Sequence, residues 1–309
     1  MIMLRMMMRM YQVKRPSRSE FVPIRQLRYH VRVWGEPSPT KIPLVLLHGW
    51  MDVAASYQFM VDAFSEDHYV IAPDWRGFGL TSGGGADCYW HPDYLADLDF
   101  LLDHYAPDQA VNLVGHSMGG GVAMQYAGVR PERVRRLVNL EGFGMPATRP
   151  DQTAERLGRW MNELKQLQRG ELALRAYAEP AGVARRLMKT NPRLGQDKAN
   201  WLAQHWASQN EAGEWQILGE PGHKLPNPYL YRVDEVLALY ARISMPTLMA
   251  EASDDRFEGW WKGRFTLAEH HERLRAVPQV RVVRIEEAGH MMHHDQPEQL
   301  AALIESFIA

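Results

Sequence analysis

The chain has 309 residues, of which 46% are hydrophobic and 23% charged, and its formal net charge is −2. This composition is typical of a globular protein, and the charge gives no indication of a nucleic-acid partner. The single cysteine, Cys88, excludes an intramolecular disulfide and is compatible with a reducing compartment, so we expect a cytoplasmic location. No apolar run approaches the roughly 20 residues that a membrane span requires.

The first 19 residues are rich in methionine and basic residues. Arg5 and Arg9 interrupt the apolar run that a secretory signal would need. We therefore predict a disordered extension over residues 1–19 and leave it out of the fold.

Strand-like and helix-like segments alternate along most of the remaining chain. The strand-like runs are continuously apolar in several places, which is typical of strands buried on both faces. They lie at 27–34, 43–47, 69–72, 110–114, 134–140, 246–251 and 279–285. The helical stretches lie at 54–64, 92–104, 118–129, 259–274 and 297–307. This alternation predicts an α/β fold, with a parallel sheet covered by helices on both faces.

The alternation stops between residues 146 and 240. This segment has no clear strand and contains several prolines, but it offers an amphipathic helix. One face of that helix carries Leu157, Trp160, Met161, Leu164 and Leu167. We interpret residues 146–240 as a helical cap inserted into a core formed by residues 20–145 and 241–309.

The sequence VNLVGHSMGGG, which begins at residue 111, places a serine between a predicted strand and a predicted helix. A strand that turns into a helix within a few residues needs glycines, and the residue at the apex then projects outward. Gly115, Ser117 and Gly119 fit the G-x-S-x-G nucleophile elbow in the strand–helix context that this motif requires. Ser117 is therefore the candidate nucleophile.

A serine nucleophile needs a histidine base. His290 follows the last predicted strand on a loop of small residues and is the candidate. His293 and His294 are expected to lie in a solvated loop. A metal centre formed by His290, His293 and Asp295 is an alternative that the spacing leaves open.

The base in turn needs a carboxylate that orients it. Asp255, near the end of the strand predicted at 246–251, is the favoured acid. Asp254 and Glu141 are alternatives, because each also follows a strand at the same edge of the sheet.

Two backbone N–H groups are needed to stabilise the oxyanion of the tetrahedral intermediate. Met118 begins the helix after the nucleophile, and Trp50 comes after His48 and Gly49, which follow the strand predicted at 43–47. We predict that these two residues supply the donors. His48 and His116 are interpreted as structural neighbours of the site.

These segments together resemble the α/β-hydrolase superfamily. The resemblance runs from about residue 21 to the end of the chain and rests on HGW at 48–50, DWRGFG at 74–79, GHSMGG at 115–120, Asp255, and AGHMMHHDQPE at 288–298. It implies a mostly parallel sheet of eight strands with a cap after the sixth. It also implies a triad of Ser117, Asp255 and His290, with Trp50 and Met118 as oxyanion donors.

The chain departs from the family pattern at the acid. The glycine that commonly precedes the acid by two or three residues is absent, and a double aspartate stands at Asp254 and Asp255. Relatives that displace halide or open epoxides use aspartate as the nucleophile, so Ser117 argues against those reactions.

The expected function is hydrolysis of a carboxylic ester, or a related acyl bond, of a mainly apolar small molecule through an acyl-enzyme. Perhydrolysis of the cofactor-free haloperoxidase kind, carbon–carbon bond hydrolysis and acyl transfer use the same triad and remain alternatives, as does a non-catalytic binding protein of this fold. We expect neither a cofactor nor a metal. The tryptophans of the cap, Trp160, Trp201, Trp206 and Trp215, suit an apolar substrate, whereas the oligomeric state is left open.

Overall fold

An eight-stranded sheet forms the centre of the computed structural model, which describes residues 10–254 and 257–309. The strands of the molecule, in chain order, are β1 (Arg18–Ile24), β2 (Leu27–Trp34), β3 (Leu44–Leu47), β4 (Val70–Pro73), β5 (Val111–His116), β6 (Val134–Leu140), β7 (Ala176–Tyr177), β8 (Ala207–Gln209), β9 (Trp215–Ile217), β10 (Thr247–Ala252) and β11 (Val280–Ile285). The central sheet has the order β1-β2-β4-β3-β5-β6-β10-β11. Strand β2 is antiparallel to both of its neighbours, and the other pairs are parallel. The predicted fold class is confirmed.

Helices cover both faces of this sheet. The helices of the described residues are α1 (Gln58–Ala63), α2 (His91–Tyr105), α3 (Met118–Val129), α4 (Thr153–Gln168), α5 (Pro180–Thr190), α6 (Gln196–Trp206), α7 (Val233–Tyr240), α8 (Phe257–Trp261), α9 (Leu267–Leu274), α10 (Met292–Asp295) and α11 (Pro297–Ile308). Strand β3 shows why the apolar runs are continuous: Val45 and Leu47 pack with α2 and α3, whereas Leu44 and Leu46 pack with α1 and α11. Its side chains therefore enter two separate hydrophobic cores.

Two elements differ from the sequence prediction. Strand β1 was not predicted, because it is an edge strand whose side chains alternate between exposed and buried positions. The single helix predicted at 259–274 is two helices, α8 and α9. Gly263 between them has a φ of 71°, and the Thr266 hydroxyl accepts a hydrogen bond from the Glu269 N–H at 3.1 Å. This N-cap begins α9 as a new helix.

The N-terminal segment is more ordered than we predicted. Residues 1–9 lie outside the described residues, but residues 10–19 pack against the core. The Tyr11 hydroxyl donates to Asp62 at 2.9 Å, and the Arg15 N–H donates to the same carboxylate at 2.7 Å. The predicted disordered extension therefore does not include residues 10–19, because the buried Asp62 side chain binds their polar groups.

The segment between β6 and β10 contains α4 to α7 and a small antiparallel sheet of order β7-β9-β8. The sequence did not predict these short strands. A third hydrophobic cluster joins Val183, Leu187 and Leu202 of this segment to Phe59 of α1. Across the described residues, no helix combines the length and the apolar character that crossing a membrane requires.

Candidate active site

Ser117 lies at a strained turn between β5 and α3. Its φ is 52° and its ψ is −115°, a conformation that residues other than glycine rarely adopt. The flanking positions require glycine because neighbouring backbone segments lie too close to leave room for a Cβ. A Cβ on Gly119 would overlap the carbonyl oxygen of Leu47, and a Cβ on Gly115 would overlap that of Gly119. The chain therefore turns sharply here and holds Ser117 at the apex, as the sequence motif predicted.

His290 and Glu141 form a hydrogen-bonded pair beside this turn. The Nδ1–H of His290 donates to Oε2 of Glu141 at 2.7 Å, and Oε1 of Glu141 accepts the Ala252 N–H at 2.7 Å. Glu141 directly follows β6, has a φ of 52°, and is 7% exposed. With the proton on Nδ1, the Nε2 of His290 is free to act as a base.

The backbone holds the serine and the histidine close together. The Ser117 N–H donates to the carbonyl of Leu140 at 2.8 Å, so the elbow lies beside the residue that precedes Glu141. The Nε2–H of His116 donates to the carbonyl of His290 at 2.8 Å. Among the described residues, no hydrogen bond joins the Ser117 hydroxyl to His290; such bonds often tighten only when the substrate binds.

Of the two aspartates considered as the acid of the triad, the structure describes only Asp254. Asp254 accepts a hydrogen bond from Arg193 at 2.9 Å, and its N–H donates to the carbonyl of Ala288. Asp255, the acid that the sequence favoured, lies outside the described residues. Within the described part of the chain, the carboxylate on the Nδ1 of His290 is that of Glu141, the alternative that the strand order had left open.

The two predicted oxyanion donors lie on segments that contact each other. A Cβ on Gly49 would come within 3.1 Å of the Ser117 Cβ, so the loop carrying Trp50 packs against the elbow. Met118 is the first residue of α3, where backbone N–H groups have no partner inside the helix. The positions of Trp50 and Met118 are thus compatible with the predicted role, which stays a prediction.

His48 has the structural role that we expected. Its Nδ1–H donates to the carbonyl of Gly49 at 2.8 Å, and its Nε2 accepts the Trp75 N–H at 2.9 Å. Burial lowers its pKa to about 4, so the ring is neutral. It fixes the loop that leads to Trp50.

The prediction of a solvated loop for His293 and His294 is wrong. Both belong to α10, where His293 is 0% and His294 3% exposed. Burial lowers the pKa of His294 to about 3. The apolar Met291 and Met292 begin this turn, and Met292 packs into the core and brings the two histidines with it. Asp295 is also committed elsewhere, because it binds Asn191 at 2.7 Å and the Gly289 N–H at 2.9 Å.

Aromatic side chains surround the catalytic edge of the sheet. The Trp260 ring lies 4.6 Å from that of His290, edge to face, and is 44% exposed. Trp50 is 53% exposed, and its indole N–H donates to the carbonyl of His223. Further out, Trp160 of α4 faces Trp90 at 6.2 Å between ring centroids. The approach to Ser117 is therefore largely aromatic.

The chain matches the family described as alpha/beta hydrolase fold over residues 42–297. The chain belongs to this family. The matched range contains Ser117, Glu141 and His290. The predicted resemblance is confirmed.

Individual hydrolases are similar to this chain to different extents. A serine hydrolase-like protein of Danio rerio is 26% identical over 303 residues, which are 95% of this chain and 89% of the relative. The 2-hydroxymuconate semialdehyde hydrolase of Pseudomonas sp. (strain CF600) is 37% identical over 107 residues, 33% of this chain and 37% of the relative. Among solved structures, a thioesterase domain from the curacin biosynthetic pathway has a TM-score of 0.77 at 22% identity, covering 94% of this chain and 99% of that domain. At this identity, the structural likeness concerns the fold alone.

Proposed function

We propose that this hydrolase cleaves a carboxylic ester of a mainly apolar small molecule through an acyl-enzyme. The observation that carries the proposal is the 2.7 Å hydrogen bond between His290 and Glu141, formed next to the strained Ser117. An imidazole that is oriented by a carboxylate and held beside a serine at a strained turn is the arrangement that acyl transfer needs.

In the proposed mechanism, Ser117 attacks the ester carbonyl while Nε2 of His290 takes the hydroxyl proton. Glu141 stabilises the resulting imidazolium through Nδ1–H, in the role for which the sequence favoured Asp255. The backbone N–H groups of Trp50 and Met118 bind the oxyanion. His290 then protonates the leaving alcohol, and a water molecule activated by the same nitrogen releases the acid.

The substrate class is inferred from the aromatic approach. Trp50 and Trp260 are large apolar side chains left about half exposed beside the site, and burying them against a ligand is favourable. The polar groups of the site are concentrated at the serine, the histidine and the glutamate. This combination suits an acyl or aryl ester better than a charged or sugar-like substrate.

Carbon–carbon bond hydrolysis is the second candidate. The local similarity to the 2-hydroxymuconate semialdehyde hydrolase favours it, although that similarity covers only about a third of each chain. The same residues would serve this reaction. A ketonic rather than an ester carbonyl would be the group attacked.

The test is a panel of activated esters whose acyl groups range from two to twelve carbons, assayed together with a vinylogous 1,5-diketone. We expect turnover of the esters, rising with acyl length before it falls. A fluorophosphonate probe should label Ser117 alone. Cleavage of the diketone without ester turnover would favour the second candidate, and neither turnover nor labelling would indicate a non-catalytic binding protein.

A further inference from the structure

Three buried polar side chains, Asp52, His116 and His293, form a cluster next to the candidate active site. Asp52 lies in the loop after β3, His116 ends β5, and His293 belongs to α10. Their exposed fractions are 3%, 2% and 0%. One potential ligand atom from each of the three lies within 4.8 Å of the others.

Four buried polar atoms of this cluster have no hydrogen-bond partner among the described residues. They are Oδ2 of Asp52, Nδ1 of His116, and both ring nitrogens of His293. Buried polar atoms are nearly always paired, so four unpaired ones in a single cluster require an explanation. A neutral imidazole has a lone pair on one nitrogen, so each of the three side chains offers one acceptor to a cation.

The opposite sides of two of these groups are held by hydrogen bonds. Oδ1 of Asp52 accepts from the Val53 N–H at 2.8 Å and from the Ser56 hydroxyl. The Nε2 of His116 donates to the carbonyl of His290 at 2.8 Å, which places the proton on Nε2 and leaves a lone pair on Nδ1. A histidine that donates its other N–H to a carbonyl is the arrangement typical of metal ligands.

We propose that Asp52, His116 and His293 bind one divalent transition-metal ion of the zinc type. Two imidazoles and one carboxylate are a ligand set that Zn²⁺ and Co²⁺ accept, whereas Mg²⁺ and Ca²⁺ prefer oxygen ligands. A His293 ring nitrogen lies 3.9 Å from Oδ2 of Asp52, and the three ligand atoms all lie within 4.8 Å of one another. Ligands on one zinc lie roughly 3.4 Å apart, so the side chains would move inward by up to about 1 Å to close the site.

The rings around the cluster hold His293 in place. His294 lies against His293 at 4.4 Å between ring centroids, and Tyr57 faces His293 from the other side at 5.1 Å. The carboxylate of Asp52 is the acidic group of the proposed ligand set.

The bound ion would connect three segments that carry the catalytic edge. The ligands come from the loop after β3, the last residue of β5 and the turn after His290, which are distant in sequence. Metal binding to the folded form alone stabilises that form. None of the three ligands is Ser117, His290 or Glu141, so this site does not depend on the proposed ester chemistry.

The test uses the full chain produced with Co²⁺ in the growth medium and then passed over a chelating resin. We expect one ion per chain, the visible absorption of Co²⁺ bound to nitrogen, and a higher unfolding temperature than for the chelator-treated protein. A zinc-loaded crystal should show an anomalous scattering peak between Asp52, His116 and His293.

Variants separate this site from the catalytic histidine. Asp52→Asn keeps the size of the side chain and the Oδ1 contacts, and it should weaken Co²⁺ binding by about 100-fold or more. His294→Gln changes a buried neighbour outside the ligand set and should keep the ion, as should His290→Ala. Circular dichroism and the unfolding temperature of the metal-free forms report whether each variant folds.

Three results would overturn the proposal. In the first, the wild-type chain takes up no ion. In the second, the His290→Ala variant loses the ion while the Asp52→Asn variant keeps it. In the third, the anomalous peak lies elsewhere in the molecule. The crystal measurement on the unmodified chain decides the question even if Asp52→Asn fails to fold.

Discussion

The carboxyl edge of the central sheet and helix α4 differ in burial and in backbone conformation. At the sheet edge, Ser117 and Glu141 each follow a strand directly, and each has a φ of 52°. Their neighbours are buried and hydrogen-bonded. In α4, none of the 16 residues is fully buried, although one face is apolar. Leu157 and Met161 on that face are 37% and 50% exposed.

This difference suggests that the two regions have different roles, one in the reaction and the other in binding the substrate. Backbone strain of about 1–3 kcal/mol per residue persists only where the surroundings fix the conformation, as they do at Ser117 and Glu141. The apolar face of α4 has no comparable constraint. The guanidinium of Arg156 on α4 donates hydrogen bonds to the carbonyls of Asn227 and Tyr229, which connect the helix to a neighbouring loop. We infer that the sheet edge holds the reacting groups, whereas α4 offers apolar surface that a substrate can cover.

The largest expected effect is at the nucleophile. Ser117→Ala should reduce ester turnover by about 10⁴ to 10⁶-fold, because removal of a triad nucleophile leaves only binding and oxyanion stabilisation. The unfolding temperature should change little. The initial rate and fluorophosphonate labelling measure the outcome, and a variant that kept more than about a tenth of the activity would rule out this nucleophile.

The acid is the next test of the sheet edge. Glu141→Gln should reduce turnover by up to roughly 10⁴-fold, because the imidazolium of His290 loses its negative partner. The amide keeps an oxygen for the Ala252 N–H, so the fold should survive. Asp254→Asn is the matched control and should retain nearly full activity, as should Asp255→Asn. A larger loss of turnover in Asp255→Asn than in Glu141→Gln would show that Asp255 is the acid, as the sequence favoured.

The tight backbone at the elbow can be tested without catalysis. Gly119→Ala should lower the free energy of unfolding by about 1–3 kcal/mol, since its Cβ would overlap the carbonyls of Leu47 and His48. Gly121→Ala lies in the same helix, with no atom within 4 Å of the added Cβ. It should raise stability by about 0.5–1 kcal/mol. Denaturant titration measures the free energy of unfolding of both variants. Equal changes in the two would mean that position 119 has room for a Cβ.

The smallest change in stability is expected in α4. Met161→Ala and Leu157→Ala should alter the free energy of unfolding by less than about 0.5 kcal/mol, because both side chains are substantially exposed. They should raise the KM for long acyl esters by a few fold and leave short esters unaffected. Glu155→Ala on the same helix is the control. A uniform loss of kcat across the panel would instead assign α4 a part in the chemistry.

The sequence predicted the fold and the strand–helix context of Ser117 because both depend on local patterns. Continuous apolar runs and the glycines of the elbow are visible without coordinates. The sequence also singled out His290, since it follows a strand on a loop of small residues, and the structure pairs its Nδ1 with Glu141. Strand β1 was missed because an edge strand exposes half of its side chains and carries no continuous apolar run.

The carboxylate that contacts His290 and the burial of His293 and His294 both depend on long-range packing. Glu141 and the aspartates at 254 and 255 all follow strands, and only the register of β6 against β10 brings the Glu141 carboxylate to the Ala252 N–H and the Nδ1 of His290. The sequence placed His293 and His294 in a solvated loop because polar residues follow them. Their burial follows from the packing of α10 against α1 and α11.

The proposed acid, Glu141, follows β6, and this position has a consequence for engineering. In the proposed mechanism, none of the described residues between β10 and β11 takes part in the reaction. Lys262 and Gly263 in this segment form an exposed turn with φ values of 50° and 71°. A recognition tag, a fluorophore-bearing peptide or a tethering sequence could be inserted there and leave the reacting residues in place, which makes this turn a suitable attachment point for immobilising the enzyme.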